Sequence, residues 1–517
     1  MTNAIKHTDH GKEWIAVVIV TVGVFMALLD TTIVNIVLPK MMSTLEADLY
    51  GIQWVVISYF LGSVISMTTV GWLGDRFGAT HVFLIGLGIF TGMSALCGMA
   101  SSLELMETFR FCQGIGEGFI IPTGLVVLFE IFPREKHGMA MGLYGLGAAL
   151  APSLGPTLGG VITEHLSWRW IFYVNLPFGI AGVIAGWFYL KRVCLEKTSK
   201  VPFDSLGFIL MTISLSSLII FLSKGQEKGW LESDYILALV IIFVVTFIPF
   251  VIWQWYYKHP LINLNLFKNR TYAIGVAVLA VFSLVTYGFW LLLPIYLERL
   301  RQYPTLTSGL ILLPGSLIGG LAILGSGILS DRWRPKTILI ICLLGVGLMG
   351  FNFHTGVETS KHVVAWDYTK WVVFVGGVFT PLVVIALSDL PDRLLNMGST
   401  TLNVIRLIFG SIGTSYAVSL LSNKTSTFYT ILSSKINFGS PTTRQLIGRE
   451  MFLQGQTAAG AFVKRAQMML EMYIMRDASS YAFESVFRTL GILTCILVIG
   501  ALFIRYRKKK HSGLIVH

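Results

Sequence analysis

Asp30 is a carboxylate standing alone in an otherwise uncharged run from Trp14 to Leu38. Arg110 and Glu117 stand seven positions apart inside a second mostly apolar stretch, residues 105–130. An ionisable side chain in hydrocarbon costs several kcal/mol unless it is paired or hydrated, so each of the three is a candidate for function. The chemistry open to them is proton exchange. Desolvation favours the neutral form of a buried carboxyl group and a neighbouring arginine favours the charged form, so the two effects together can set it to gain and lose protons. Asp30 lies about 16 residues, or roughly 24 Å, along the first stretch. Arg110 lies about 5 residues into a stretch running the other way, which puts the two at similar depth. Glu117 shares a helical face with Arg110, with Gln113 and Gly114 between them. These spacings point to Asp30 and Glu117 as proton carriers and Arg110 as the cation that organises them. A static structural ion pair is the competing reading.

The elements that position these residues follow from composition. Of 517 residues, 54% are apolar and 13% charged, and the mean hydropathy is +0.72. A soluble domain carries about 25% charged residues. A hydrocarbon layer about 30 Å thick needs roughly 20 apolar residues per helical crossing. Fourteen such runs are expected, near 14–38, 51–72, 81–101, 105–130, 139–162, 171–190, 206–222, 236–256, 271–297, 306–330, 336–354, 369–388, 398–421 and 487–504. The fold class is therefore an all-α polytopic membrane protein.

Lys and Arg are retained on the cytoplasmic side of a membrane. They gather in alternate loops, at Arg134 and Lys136, Lys191 to Lys200, Lys258 to Arg270, Arg332 to Lys336 and the carboxy-terminal tail. Both termini are therefore expected inside. The +12 net charge follows largely from this bias and needs no nucleic acid to explain it. The first apolar run lacks a small-residue cleavage pattern and is expected to remain. Cys97, Cys112, Cys194, Cys342 and Cys495 have no CxxC spacing, so the sequence suggests neither a disulfide framework nor a metal site. It also holds no glycine-rich phosphate loop, which argues against ATP as the energy source. A membrane-embedded enzyme would need a nucleophile with its base or a metal-ligand spacing, and the sequence offers neither.

Gly71-Trp72-Leu73-Gly74-Asp75-Arg76 recurs as Gly327-Ile328-Leu329-Ser330-Asp331-Arg332, at an offset of 256 residues (327 minus 71). Two six-helix halves, 14–190 and 257–504, joined through a linker at 191–205 and an inserted two-helix hairpin at 206–256, account for that offset. Residues 1–13 and 505–517 form cytoplasmic tails, the second basic, and a long loop is expected at 422–486. Its stretches 444–455 and 457–475 have helical composition, the second with an apolar stripe of Phe462, Ala466, Met469 and Tyr473.

Several stretches carry a family resemblance. They are Leu29-Asp30-Thr31-Thr32-Ile33-Val34-Asn35-Ile36-Val37-Leu38-Pro39, then Arg110, Gln113, Gly114 and Gly116, and then Gly145 to Gly160 with Gly155-Pro156. Trp168-Arg169-Trp170-Ile171-Phe172-Tyr173-Val174-Asn175-Leu176-Pro177 and the region from Asp389 through Arg406 to Ser415 complete the set. Together they resemble the major facilitator superfamily, and within it the fourteen-span drug:proton antiporters of the EmrB and QacA type. The resemblance covers nearly the whole chain. One departure is that Gly78 is followed by Ala79-Thr80-His81 where that group has basic residues, which puts the charge contacts of that loop in doubt.

The resemblance implies a proton-driven exporter of small amphipathic compounds in a bacterial inner membrane, powered by the proton gradient without a cofactor. A periplasmic adaptor and an outer-membrane channel are the partners it suggests, docking at 422–486. Asp75, Arg76, Asp331 and Arg332 would form a cytoplasmic gate. Pro152, Gly155, Pro156, Gly159 and Gly160 would form a hinge and a tight seam, or ordinary small-residue packing. Asn35, Tyr59, Gln113, Tyr144, Phe289, Trp290 and Arg406 are the candidates for lining a substrate cavity. An exporter dedicated to one endogenous metabolite or siderophore, and a transporter-like sensor, remain as alternatives.

Overall fold

The computed structural model describes residues 10–131, 154–155, 157–193, 202–258, 260–262, 264–435 and 459–504. In hydrocarbon every backbone polar group must be satisfied within its own segment, so the apolar runs become helices. The first half contains α1 (His10–Thr44), α2 (Trp54–Met67), α3 (Val70–Phe77), α4 (Ala79–Met99), α5 (Leu103–Ile131) and α6 (Asn175–Val193). A hairpin of α7 (Ser205–Lys228) and α8 (Asp234–Tyr256) follows. The second half contains α9 (Arg270–Ile295), α10 (Thr305–Arg332), α11 (Pro335–Phe351), α12 (Lys361–Ser388), α13 (Asp392–Lys435) and α14 (Ala459–Leu502).

Among the described residues 12 helical stretches are long and apolar enough to cross a membrane, and α11, at 17 residues, is a shorter apolar helix. The run expected at 139–162 lies for the most part outside the described residues, as do Tyr144, Pro152 and Pro156. The single run expected at 51–72 is two helices. The Thr68 and Thr69 hydroxyls donate back to Ile65 O at 2.8 Å and Ser66 O at 2.7 Å where α2 gives way to α3. Gly78 then ends α3 at φ +83°, a conformation that suits glycine, and its N–H bonds Gly74 O at 2.9 Å.

The segment 422–486 also departs from the expected loop. Its described parts, 422–435 and 459–486, are helical continuations of α13 and α14. Polar residues such as Asn423, Lys424 and Ser426 end the apolar run without ending the helix, because helix formation outside the membrane does not require hydrophobicity.

The packing repeats as the sequence does. α2 lies on α5 and α10 on α12, while α1 lies on both α5 and α6 and α9 on both α12 and α14. The halves meet where α1 faces α9 and α10, and where α2 faces α13. α7 packs on both α2 and α13, with the Ser223 and Ser415 hydroxyls 2.6 Å apart. The base of the hairpin is held by Asp204, which accepts from Gly207 N (2.9 Å), Trp253 Nε1 (2.7 Å) and Gln254 Nε2 (2.7 Å).

Small residues set the closest crossing. A Cβ on Gly62 would collide with the Phe111 carbonyl oxygen, and one on Gly114 with that of Tyr59. α2 and α5 thus touch backbone to backbone, a crossing that larger side chains would prevent. Gly71, by contrast, has open space around it, and a Cβ there would meet nothing within 4 Å. Gly114→Val is expected to cost at least about 1–3 kcal/mol of stability through overpacking, whereas Gly71→Ala is expected to leave the protein unchanged. Thermal unfolding of the purified variants, followed by size-exclusion chromatography, checks both.

Candidate transport site

Asp30, Arg110 and their neighbours are drawn together from α1, α2, α4, α5 and α6. Asp30 and Arg110 form an ion pair through Oδ2 and Nη1, and each is 1% exposed. Arg110 also donates from Nη1 to Gln113 Oε1 at 2.7 Å and from Nε to Val55 O at 3.1 Å. The second carboxylate oxygen of Asp30 accepts from Gln113 Nε2 at 3.1 Å and Asn175 Nδ2 at 3.3 Å. Asn175 in turn donates to Ser94 Oγ at 3.0 Å, and Ser94 donates to Phe172 O at 2.9 Å. The Arg110 guanidinium lies 4.0 Å from the Tyr59 ring centroid and 5.7 Å from that of Phe172. A cation between aromatic faces gains from their quadrupoles, most strongly where water is excluded.

This arrangement meets the cost of burying charge. Both carboxylate oxygens have donors and the guanidinium has a carboxylate, an amide oxygen and a carbonyl, which is the condition under which a buried pair is tolerated. Adding a proton to Asp30 would remove one of the two charges and weaken the attraction that holds α1 to α5. The cluster can therefore convert a protonation event into altered helix packing.

Glu117, one face-length along α5, is 1% exposed, and its Oε2 is enclosed without a hydrogen bond. Its charge interacts with that of Arg406 on α13 in the other half, without a direct ion pair. Arg406 lies over the Phe379 ring at 5.6 Å, and its Nε is enclosed without an acceptor. Tyr287 on α9 lies near both, edge-on to Phe60 at 5.1 Å and to Trp290 at 5.5 Å. A Cβ on Gly410, one turn from Arg406, would sit 2.8 Å from the Tyr287 ring.

The other expected residues are distributed more widely. Asn35 donates to Thr31 O at 3.2 Å, and its Oδ1 is enclosed without a partner. Tyr59 serves the Arg110 cluster. Phe289 does not line a cavity: it is fully buried and stacks on Trp371 at 3.9 Å, with Phe353 and Phe487 at 5.1 and 4.3 Å, in the aromatic core of the second half. An aromatic residue in a helix carries no sign of which face it occupies, so the packing of α9 on α12 and α14 decided its place. Asp75 and Arg76 are exposed at the end of α3, with Arg76 6.0 Å from the Trp72 ring. The side chains of Asp331 and Arg332 lie outside the described residues.

Gly155 and Gly159 face α1, where a Cβ would meet Thr32 and Ile36, and Gly160 faces α10, with Thr305 O 3.1 Å from its Cβ position. Sequence reasoning missed Ser94 and Tyr287, and it left Asn175 without a role. Asn175 stood within the Trp168 to Pro177 stretch that carries the family resemblance, and its bond to Asp30 supplies a physical reason for an amide there.

A bundle of two repeated halves with a charged network buried in its membrane-spanning core defines a polytopic membrane transporter rather than an enzyme. The chain belongs to the Major Facilitator Superfamily, which it matches over residues 20–414. It is 30% identical to an uncharacterized MFS-type transporter, YhcA, of Bacillus subtilis (strain 168), over 82% of this chain and 79% of that one. It is 29% identical to the multidrug export protein EmrB of Haemophilus influenzae, over 92% and 93% of the two chains. It is 28% identical to the fatty acid resistance protein FarB of Neisseria gonorrhoeae, over 84% and 86%. Its fold is similar to that of a bacterial homolog of the human lysosomal transporter Spinster, with a TM-score of 0.61 and 14% identity over 94% of this chain and 96% of that one.

Arg110→Ala strands Asp30 in the core without its cation, so a loss of about 3–5 kcal/mol of stability is expected. Arg110→Lys keeps a charge but loses the Nε bond to Val55 O and the flat contact with Tyr59, and an intermediate loss is expected. Thermal unfolding of both variants checks the order, and equal stability of the two would remove the pairing from the account.

Proposed function

We propose that this protein is a proton-coupled antiporter of a bacterial inner membrane, exporting small amphipathic compounds by alternating access, with both termini in the cytoplasm. The observation that carries this reading is the Asp30–Arg110–Gln113–Asn175 cluster, a titratable carboxylate held by three helices of one half and shut away from water. A proton arriving at Asp30 cancels its charge and frees Arg110, and departure of the proton restores the pair. Glu117 adds a second carboxyl group beside the contact between the halves, facing Arg406 and Tyr287. The proton gradient is the energy source, and the chemistry needs no cofactor.

The substrate class draws support from the relatives, named for multidrug export and for fatty acid resistance, and from the aromatic residues Phe60, Tyr287 and Trp290 beside Glu117 and Arg406. Docking of a periplasmic partner draws support from α13 and α14. Each has 44 residues, about 66 Å of helix against roughly 30 Å of hydrocarbon. Tyr50, in the turn between α1 and α2, bonds Ser422, and the following 13 residues of α13 extend roughly 20 Å beyond that level. The facing region of α14 exposes Met468, Met472, Tyr473 and Met475.

Proteoliposomes with an imposed pH gradient test the coupling. Asp30→Asn is expected to insert and fold while uphill transport falls by about tenfold or more, a change of at least about 1.4 kcal/mol. Glu117→Gln is expected to lose gradient-driven transport in the same way yet retain substrate binding. Wild-type uphill transport by Asp30→Asn would remove that residue from the mechanism. The arm is tested by Met472→Lys with Met475→Lys: export from intact cells is expected to fall while proteoliposome transport stays at the parent level. Unchanged export would end the docking proposal.

A further inference from the structure

At the end of the bundle where α1 finishes, the two halves face one another across a cleft of about 290 Å³. The first half contributes Lys40 and Glu164 to its walls, and the second contributes Glu298 and Arg299. The signs are complementary, a cation and an anion on each side. Each half holds its own charge in place. Lys40 Nζ donates to Thr163 O at 2.9 Å, and Glu298 Oε2 accepts from the Thr305 hydroxyl at 3.1 Å. The other oxygen of Glu298 is enclosed and has no hydrogen-bond partner, and Lys40, Arg299 and Glu164 are the charged groups that act on it.

The local backbone is built to present this carboxylate. α9 departs from α-helical geometry over Tyr296–Leu300, where a π-helical turn carries Glu298, and π-turns concentrate at functional positions. Gln302 then adopts φ +55° and Pro304 starts α10. Arg301 ties the turn down by donating to Tyr303 OH at 2.9 Å and Thr359 O at 2.7 Å. Beside the cleft the halves are in contact, since a Cβ on Gly160 would lie 3.1 Å from Thr305 O and 3.2 Å from Leu306 Cα.

We propose that Lys40 and Glu298 are a positioning pair for the transport cycle, a charge latch that holds this mouth closed and must separate each time it opens. Opposite charges across a contact fix its register and favour the closed arrangement, while like charges oppose it. Side chains tethered within their own half, with no hydrogen bond between Lys40 and Glu298 themselves, release without stranding a bonded partner. The latch therefore suits a contact that is remade in every cycle. Its role in transport rests on the alternating-access reading, but its effect on the mouth does not.

The test uses the full-length protein in nanodiscs, where both faces are open to reagent. Thr163→Cys is the reporter: Thr163 is fully buried, and it lies three residues after Gly160 on the face turned toward α10. Its labelling by a hydrophilic maleimide is counted above that of the parent without the added cysteine. Lys40→Glu or Glu298→Lys is expected to raise the labelling rate about fivefold or more, and the double charge swap to return it to within about twofold of the parent. The milder Lys40→Met and Glu298→Gln are expected to raise it less, and size-exclusion profiles show that each variant is folded. Single variants that label at the parent rate, or a double swap that labels as fast as the faster single variant, would overturn the latch. If labelling follows charge while no protein in the series transports against a gradient, the latch stands and the antiport reading falls.

Discussion

The ion pair between Asp30 and Arg110 is the interaction on which the first half is organised. Two unit charges are held away from water inside an apolar bundle, which is acceptable only if each is met by partners on every side. That requirement reaches across five helices: Gln113 and Val55 on α5 and α2, Asn175 on α6, Ser94 on α4, and the Tyr59 ring against the guanidinium. The short contacts at Gly62 and Gly114 follow from the same need, because α2 and α5 must approach closely for Val55 O to reach Arg110 Nε. The second half has the same helix packing, but a large aromatic cluster around Phe289 and Trp371 fills its interior. The repeat is thus one of architecture, while the two interiors are filled differently.

Much of this was legible in residue types. A charge in an apolar run is conspicuous, and depth along two antiparallel helices was enough to bring Asp30 and Arg110 together. The repeated Gly-x-x-x-Asp-Arg stretch pointed to two repeated halves, though not to which helices pack together; in the structure α2 lies on α5 and α10 on α12. The misreadings have a common cause, which is that hydropathy reports where lipid is and says little about what neighbours touch. Phe289 was indistinguishable from Trp290 until α12 and α14 packed against one and Tyr287 against the other. The extension of α14 was foreshadowed by the helical composition of 457–475, whereas that of α13 was hidden because its apolar signal ends although the backbone continues in the same conformation. Asn175 could have been found by asking which polar side chain within an apolar run could serve an acceptor on α1.

Charges divide between the interior and the ends according to what each must do. The interior pair is fully satisfied and shut off from solvent. The rim residues Lys40, Glu164, Glu298 and Arg299 line an open cleft, with Lys40 and Glu298 each bonded within its own half. Deeper along α5 from that rim, beyond Arg110, Glu117 and Arg406 lie on opposite sides of the contact without forming a bond, with Tyr287 near both.

The backbone contact of α2 with α5 also has a mechanical meaning. Helices that touch through glycine have no compliant side chains between them and cannot slide without collision, so α2 and α5 form one rigid unit, which in the alternating-access cycle proposed above would act as a stiff lever. For a lever reaching about 15 Å from pivot to membrane surface, a tilt of about 10° displaces its end by roughly 2.6 Å. In that cycle a small change at the centre would be geared up into a larger displacement at the rim that carries Lys40.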